Sequence, residues 1–155
     1  MLHGTTAPLQ QSRVGRENQR YDGDVRLIVC IVPLSPTGQV LLISSSKHKD
    51  GWILPKGGWE SDESVEACAT RELEEEAGVE GSVLRPLGEV DYVSGNSGAV
   101  GKPSRLLGVS VRVTKEYDEW SECKDRKRQW VDVDTARTLL GSRPELLEML
   151  QRATS

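Results

Sequence analysis

The chain has 155 residues, 36% of them hydrophobic and 28% charged, with a formal net charge of −4, the size and balance of one globular domain with a sizeable core. No apolar run nears the roughly 18 residues of a membrane span, residues 1–20 lack the apolar centre of a signal peptide, and no strongly basic face of the kind that binds nucleic acid is present. These exclusions point to a soluble protein with neither a membrane nor a nucleic-acid partner.

Residues 1–20 are polar and read as a flexible N-terminal segment, ahead of a single domain over 21–152. RLIVCIVPL (26–34) is a near-continuous apolar run, the mark of a buried strand. SPTG (35–38) turns the chain, and QVLLISSS (39–46) returns as a second strand. The basic loop KHKDG (47–51) follows, then WILP (52–55) as a short strand ended by Pro55. Gly57-Gly58 reads as a tight turn whose backbone can approach a ligand. A helix begins near Ser61 or Asp62, both good N-caps, with Glu63 and Glu66 early to suit its dipole. Val65, Cys68, Ala69 and Leu73 form its apolar stripe, and Gly78 stops it.

Strands are expected around 82–93 and 104–114, joined by the Gly- and Ser-rich loop SGNSGAVGKP (94–103). KRQWVDV (127–133) reads as a last strand and DTARTLL (134–140) as a short helix capped by Asp132 or Asp134. A final helix opens at Ser142, with Pro144 in its first turn, Glu145 completing a capping box, and Leu146, Leu147 and Leu150 as its apolar face. The order describes an α/β fold with a mixed sheet. Cys30, Cys68 and Cys123 are widely spaced and, with only His3 and His48 available, make no zinc site; they read as reduced thiols.

Residues 57–79 hold eight acids and one base, Arg71, for a charge of −7, so the rest of the chain carries +3. On a helix Glu72, Glu75 and Glu76 share one face and repel by roughly a few tenths of a kcal/mol per pair. A solvated acidic face is the plain alternative. A hard divalent cation would relieve the repulsion, since Mg²⁺ takes oxygen ligands and keeps sites open for water and phosphate. Glu63 and Arg71, eight residues apart, can meet only if Glu63 lies in the non-helical approach to the helix.

These residues resemble the Nudix box, G-x5-E-x7-R-E-U-x-E-E-x-G-U with U aliphatic. Gly57, Glu63, Arg71, Glu72, Leu73, Glu75, Glu76, Gly78 and Val79 fill its fixed positions. The resemblance implies an α/β/α sandwich with a mixed β-sheet, and Mg²⁺-dependent hydrolysis (Mn²⁺ substituting) of a diphosphate linked to another group. It also implies metal ligation by Glu72, Glu76 and the Gly57 carbonyl. Glu75 would be a third ligand or the catalytic base, and the Arg71–Glu63 pair would be architectural.

Most of residues 20–150 also resemble the diphosphoinositol polyphosphate phosphohydrolase branch, in the form with Lys56 before the glycine pair that fungal and plant members carry. YDGD (21–24), SSSKH (44–48), GWILPKGGWE (51–60) and RKRQW (126–130) carry that likeness. It would bring phosphate to Arg20, Arg26, Ser45, Ser46, Lys47, Lys102, Arg126 and Arg143, with Lys56, Gly57 and Gly58 alongside. Lys47 departs from the arginine common there, losing a bidentate fork. The implied substrates are diphosphoinositol polyphosphates, which lose a phosphate, with diadenosine polyphosphates and inorganic polyphosphate beside them.

Two rivals stand against this. One is a nucleotide-linked diphosphatase acting on a dinucleotide, ADP-ribose or an mRNA cap, which scarce aromatics disfavour. The other is a binding module without turnover, which the complete box disfavours. A monomer is expected, in the cytoplasm and also the nucleus; a leader removed ahead of Met1 would instead suit a secreted fungal effector acting in a host cell.

Overall fold

The computed structural model describes residues 17–45, 51–94 and 101–155. Its elements are β1 (Tyr21–Asp22), β2 (Val25–Leu34), β3 (Val40–Ser44), β4 (Trp52–Ile53), β5 (Lys56–Gly58), α1 (Val65–Glu72), β6 (Val79–Ser94), β7 (Lys102–Glu116), β8 (Arg128–Val131), α2 (Val133–Leu139) and α3 (Pro144–Thr154). The strands form a mixed sheet whose main path runs β4-β3-β2-β7-β6, with β1 and β5 on β2 and β8 on β3.

The apolar run at 26–34 becomes the centre of that sheet. Arg26 to Leu34 lie parallel to Ser104 to Arg112, and Ile28, Val29 and Cys30 lie antiparallel to Gly58, Gly57 and Lys56. Ile28 through Pro33 are buried at every position, which requires cover on both faces, as for a parallel strand between helices. α1 and α3 both pack on β2, β6 and β7. Gly108 of β7, opposite Cys30, leaves room for α3, since a Cβ there would lie 2.3 Å from Met149 Sδ. Each fully buried aliphatic side chain of this core, such as Leu41, Leu73 or Leu146, contributes roughly 1.5–3 kcal/mol.

Several boundaries differ from expectation for local reasons. Residues 17–20, assigned by sequence to the flexible segment, are held by the domain: Gln19 bridges to Glu60, and Arg20 N donates to Trp59 O. Residues 1–16 lie outside the described residues. Lys56–Gly58 is a strand rather than a turn, and neither glycine has a positive φ.

The N-cap of α1 is Ser64, whose hydroxyl accepts from Ala67 N, and Ser61 and Asp62 lie in a turn ahead of the helix. After Glu72 the helix widens into a π-type turn, Leu73–Ala77, closed by Gly78 at φ 64°; such turns gather at functional sites. Asp132 caps α2 through Thr135 N. α3 is capped by Arg143 without a side-chain bond, because Pro144 drives its predecessor out of the helical region. The expected capping box at Ser142 does not form, and Glu145 instead accepts from Arg143 Nε at 2.8 Å. The buried face of α3 is Leu146, Met149 and Leu150, with Leu147 half-covered.

Candidate active site

α1 and β5 meet edge to face, and Arg71 joins them. Its Nε and Nη2 donate to the two oxygens of Glu63 at 3.0 and 2.8 Å, and Nη1 donates to Glu72 Oε1 at 2.9 Å and Glu75 Oε2 at 3.3 Å. Nη2 also reaches the Gly58 carbonyl at 3.2 Å. Glu63 makes this bidentate contact because it precedes the Ser64 cap, where the chain is not yet helical.

Glu72, Glu75 and Glu76 are only 6%, 4% and 6% exposed, which rules out a solvated acidic face. Burying carboxylates is costly unless each charge is met. Burial works to raise Glu63, but Arg71 and the Glu60 amide outweigh it and hold Glu63 below the usual carboxylate range. Arg71 is likewise opposed by burial, yet Glu63 and Glu72 hold it firmly cationic. Glu72 is pushed up to about 7, first by burial and then by Glu75 and Glu122, against the pull of Arg71. Glu76 is pushed well up by burial and by Glu72 and Glu122, against Arg126 and the Lys56 amide. The acids thus outnumber their local cations.

That donor set fits a hard divalent cation. Glu72 and Glu76 are buried, oxygen-bearing and short of positive charge, and the backbone comes up against them at β5: a Cβ on Gly57 would lie 2.0 Å from the Glu72 carboxyl carbon. Lys56 N donates to Glu76 Oε1 at 3.0 Å. Among the described residues no three His, Cys, Asp or Glu side chains already stand in a metal-holding arrangement; Arg71 and the Lys56 amide bond oxygens of these carboxylates.

Beside these acids opens a pocket of about 1020 Å³, whose lining includes Ser45, Trp52, Glu122, Lys124, Arg126 and Lys127. Arg126 bridges the two regions, donating from Nε to Glu122 Oε1 at 2.8 Å and from Nη1 to Ser44 O at 2.8 Å, with Nη2 3.7 Å from Glu76 Oε2. Of the residues expected to meet phosphate, Ser45 and Arg126 therefore come together here.

Arg20 goes elsewhere. Its guanidinium stacks on Trp59 at 4.1 Å and donates to the carbonyls of Glu60, Ser61 and Glu63. Arg26 donates to Gln19 Oε1 at 2.9 Å, close to Gly58, and Arg143 pairs with Glu145. Lys102 is exposed at the start of β7 and is not in the pocket lining. Ser46 and Lys47 lie outside the described residues.

Sequence reasoning gave Glu122 and Trp120 no part in the site, and had Arg128 and Trp52 only within the RKRQW and GWILPKGGWE motifs and their strands. Glu122 sits in a turn after β7 without periodicity, where a carboxylate reads as an ordinary surface charge; its one signal is the RKR run just after it.

The NUDIX domain profile matches residues 24–153. Over 140 residues the chain is 41% identical to Nudix hydrolase 4 of Arabidopsis thaliana, a match covering 81% of this chain and 65% of that protein. It is 40% identical over 136 residues to the mitochondrial Nudix hydrolase 18 of the same plant, covering 81% of this chain and 75% of the relative. In three dimensions it is similar to a NUDIX hydrolase from Nitrosomonas europaea, with TM-score 0.72 and 16% identity over 83% of this chain and 88% of that one.

Proposed function

The chain belongs to the NUDIX domain family, and on that premise we propose that it is a Mg²⁺-dependent hydrolase. Its substrates are diphosphoinositol polyphosphates, from which it releases phosphate, with diadenosine polyphosphates and inorganic polyphosphate as further substrates. The observation that carries the substrate class is the pocket with Lys124, Arg126 and Lys127 on its wall, alongside Glu122 and Asp125, opening beside the buried acids at Glu72 and Glu76.

In this reading Glu72, Glu76 and the Gly57 carbonyl hold Mg²⁺ or Mn²⁺, with Glu75 as a third ligand or as the base. When bound, the cation would offset the charge of the diphosphate and lower the pKa of an attacking water. Arg71 meets Glu72 and Glu75 from one nitrogen, offsetting their mutual repulsion, and anchors them to Glu63. As the base, Glu75 would accept the proton of that water. Arg126, Ser45 and the pocket lysines orient the phosphate chain, with Ser46, Lys47, Arg26, Lys56, Lys102 and Arg143 completing the anion-binding ring. Arg20 serves the loop 60–63. The enzyme acts as a monomer in the cytoplasm or nucleus; among the described residues no helix is long and apolar enough to cross a membrane.

One observation favours the nucleotide-linked rival: Trp52 lines the same pocket, and an indole face there offers a base a stacking surface worth about 1–3 kcal/mol. Rates on diphosphoinositol pentakisphosphate and on a diadenosine polyphosphate, each with Mg²⁺, separate the two. The inositol substrate turning over faster, with Trp52→Ala changing it little, supports the proposal. Turnover confined to the dinucleotide, lost in Trp52→Ala, replaces it with the rival. Tight binding of the inositol compound without turnover makes the protein a binding module.

A further inference from the structure

The last carbonyls of a helix ordinarily face water or a cap. Those at the end of the acidic helix are instead gripped one after another by a segment distant in sequence. Glu122 N donates to Glu75 O at 3.1 Å, and Trp120 Nε1 donates to Glu76 O at 2.9 Å. Arg128 Nη1 donates to Ala77 O at 2.8 Å and Gly78 O at 3.2 Å, while its Nη2 holds Tyr117 O at 2.7 Å. The Arg128 guanidinium lies 4.2 Å from the Trp120 ring centre. That ring packs on Gly78 so closely that a Cβ there would lie 2.6 Å from it.

Two of the gripped carbonyls belong to Glu75 and Glu76, whose carboxylates form the site, and the other two, of Ala77 and Gly78, close the π-type turn Leu73–Ala77. Between Trp120 and Arg128 the chain also supplies Glu122 and Arg126, which line the pocket and pair with each other, and Arg126 reaches on to Ser44 O and Glu76.

We infer that Trp120, directly on Glu76 O, and Arg128, through the Ala77 and Gly78 carbonyls and the Trp120 ring, are positioning residues for the acidic turn, a clamp that fixes the backbone from which Glu76 reaches the metal and that ties its orientation to the pocket wall. The inference rests on the metal-dependent reading of the site. A clamp of this kind acts as outer-shell support does, where loss of one partner costs about 10–100-fold in metal affinity or activity. A purely structural cap would lower thermal stability and leave affinity alone.

The test measures Mn²⁺ affinity by calorimetry on the full chain, with circular dichroism and a thermal melt on every variant. Trp120→Phe keeps the ring under Arg128 but loses the indole donor; Arg128→Lys keeps the charge but loses the fork. Trp130→Phe is the control, since its indole bonds Glu116 Oε1 at 3.0 Å away from the acids. Mn²⁺ affinity falling about 10–100-fold in folded Trp120→Phe and Arg128→Lys, with the control unchanged, bears the clamp out. Lowered melting temperature with unchanged affinity overturns it. Where Trp120→Phe does not fold, Arg128→Lys decides. Because the readout is binding, a wild type that takes up Mn²⁺ yet cleaves no diphosphate refutes the functional reading while the affinity shift still judges the clamp. A wild type that takes up no Mn²⁺ overturns both.

Discussion

A methyl group at Gly57 would sit 2.0 Å from the Glu72 carboxyl carbon, so Gly57→Ala forces that carboxylate aside. The group displaced is the end of a flexible side chain, so the fold survives. A ligand misplaced by about 1 Å costs on the order of 100-fold in rate. Gly57→Ala is therefore expected to keep its circular dichroism and lose about 100-fold of its Mg²⁺-dependent turnover; near-normal turnover would show that Glu72 is not held against β5. At Gly58 the atom met is Gln19 Oε1 rather than a site carboxylate, and Gly58→Ala should cost far less activity. Arg71 has the opposite character. Arg71→Met leaves Glu63, Glu72 and Glu75 buried without their shared cation, and removing one partner of a buried pair costs about 3–5 kcal/mol. Denaturant unfolding reads this directly.

Helix ends divide what sequence tells from what only the folded chain tells. Ser61, Asp62 and Ser64 all have capping chemistry, but only Ser64 accepts a bond from α1. Ser64→Ala is expected to destabilise the protein by about 1 kcal/mol, whereas Ser61→Ala and Ser142→Ala should stay within about 0.5 kcal/mol. A larger loss at Ser142 would mean that Pro144 does not set the start of α3 as described. The acidic helix, its Gly78 stop and the Glu63–Arg71 spacing were legible, because box and periodicity both lie in contiguous residues. The strand Lys56–Gly58 was not, since two glycines read as a turn until β2 is there to pair with them. Glu122, Trp120 and Arg128 were equally hidden: they meet the site through backbone carbonyls some 45 residues earlier, and a bond to a carbonyl leaves no mark on the partner's side chain. Arg20 misled in the other direction, because a cation bound for three loop carbonyls looks in sequence like one bound for phosphate.

At the scale of the molecule, an acidic centre is set in a sheet-and-helix body that cannot solvate it. Glu72 rises from 4.5 to about 7 and Glu76 rises well above 4.5, both first through burial. The folded state thus binds more protons than the unfolded state between those values, and stability falls as pH rises through that window. Without divalent cation the melting temperature should decline from about pH 5 to pH 7.5, while Mg²⁺ should raise it more at pH 7.5 than at pH 5. A flat profile would mean that Glu72 and Glu76 do not carry the strain. Glu63 has the reverse sign, and its contribution disappears only as pH falls below its ordinary 4.5.

The most direct measurement is phosphate release from diphosphoinositol pentakisphosphate by the wild type and by Glu76→Gln, each titrated with Mg²⁺. The account predicts release that depends on Mg²⁺ in the wild type and is abolished in the variant. Release that is independent of Mg²⁺, or that survives in Glu76→Gln, would contradict the claim that the buried acids Glu72 and Glu76 are the seat of diphosphate hydrolysis.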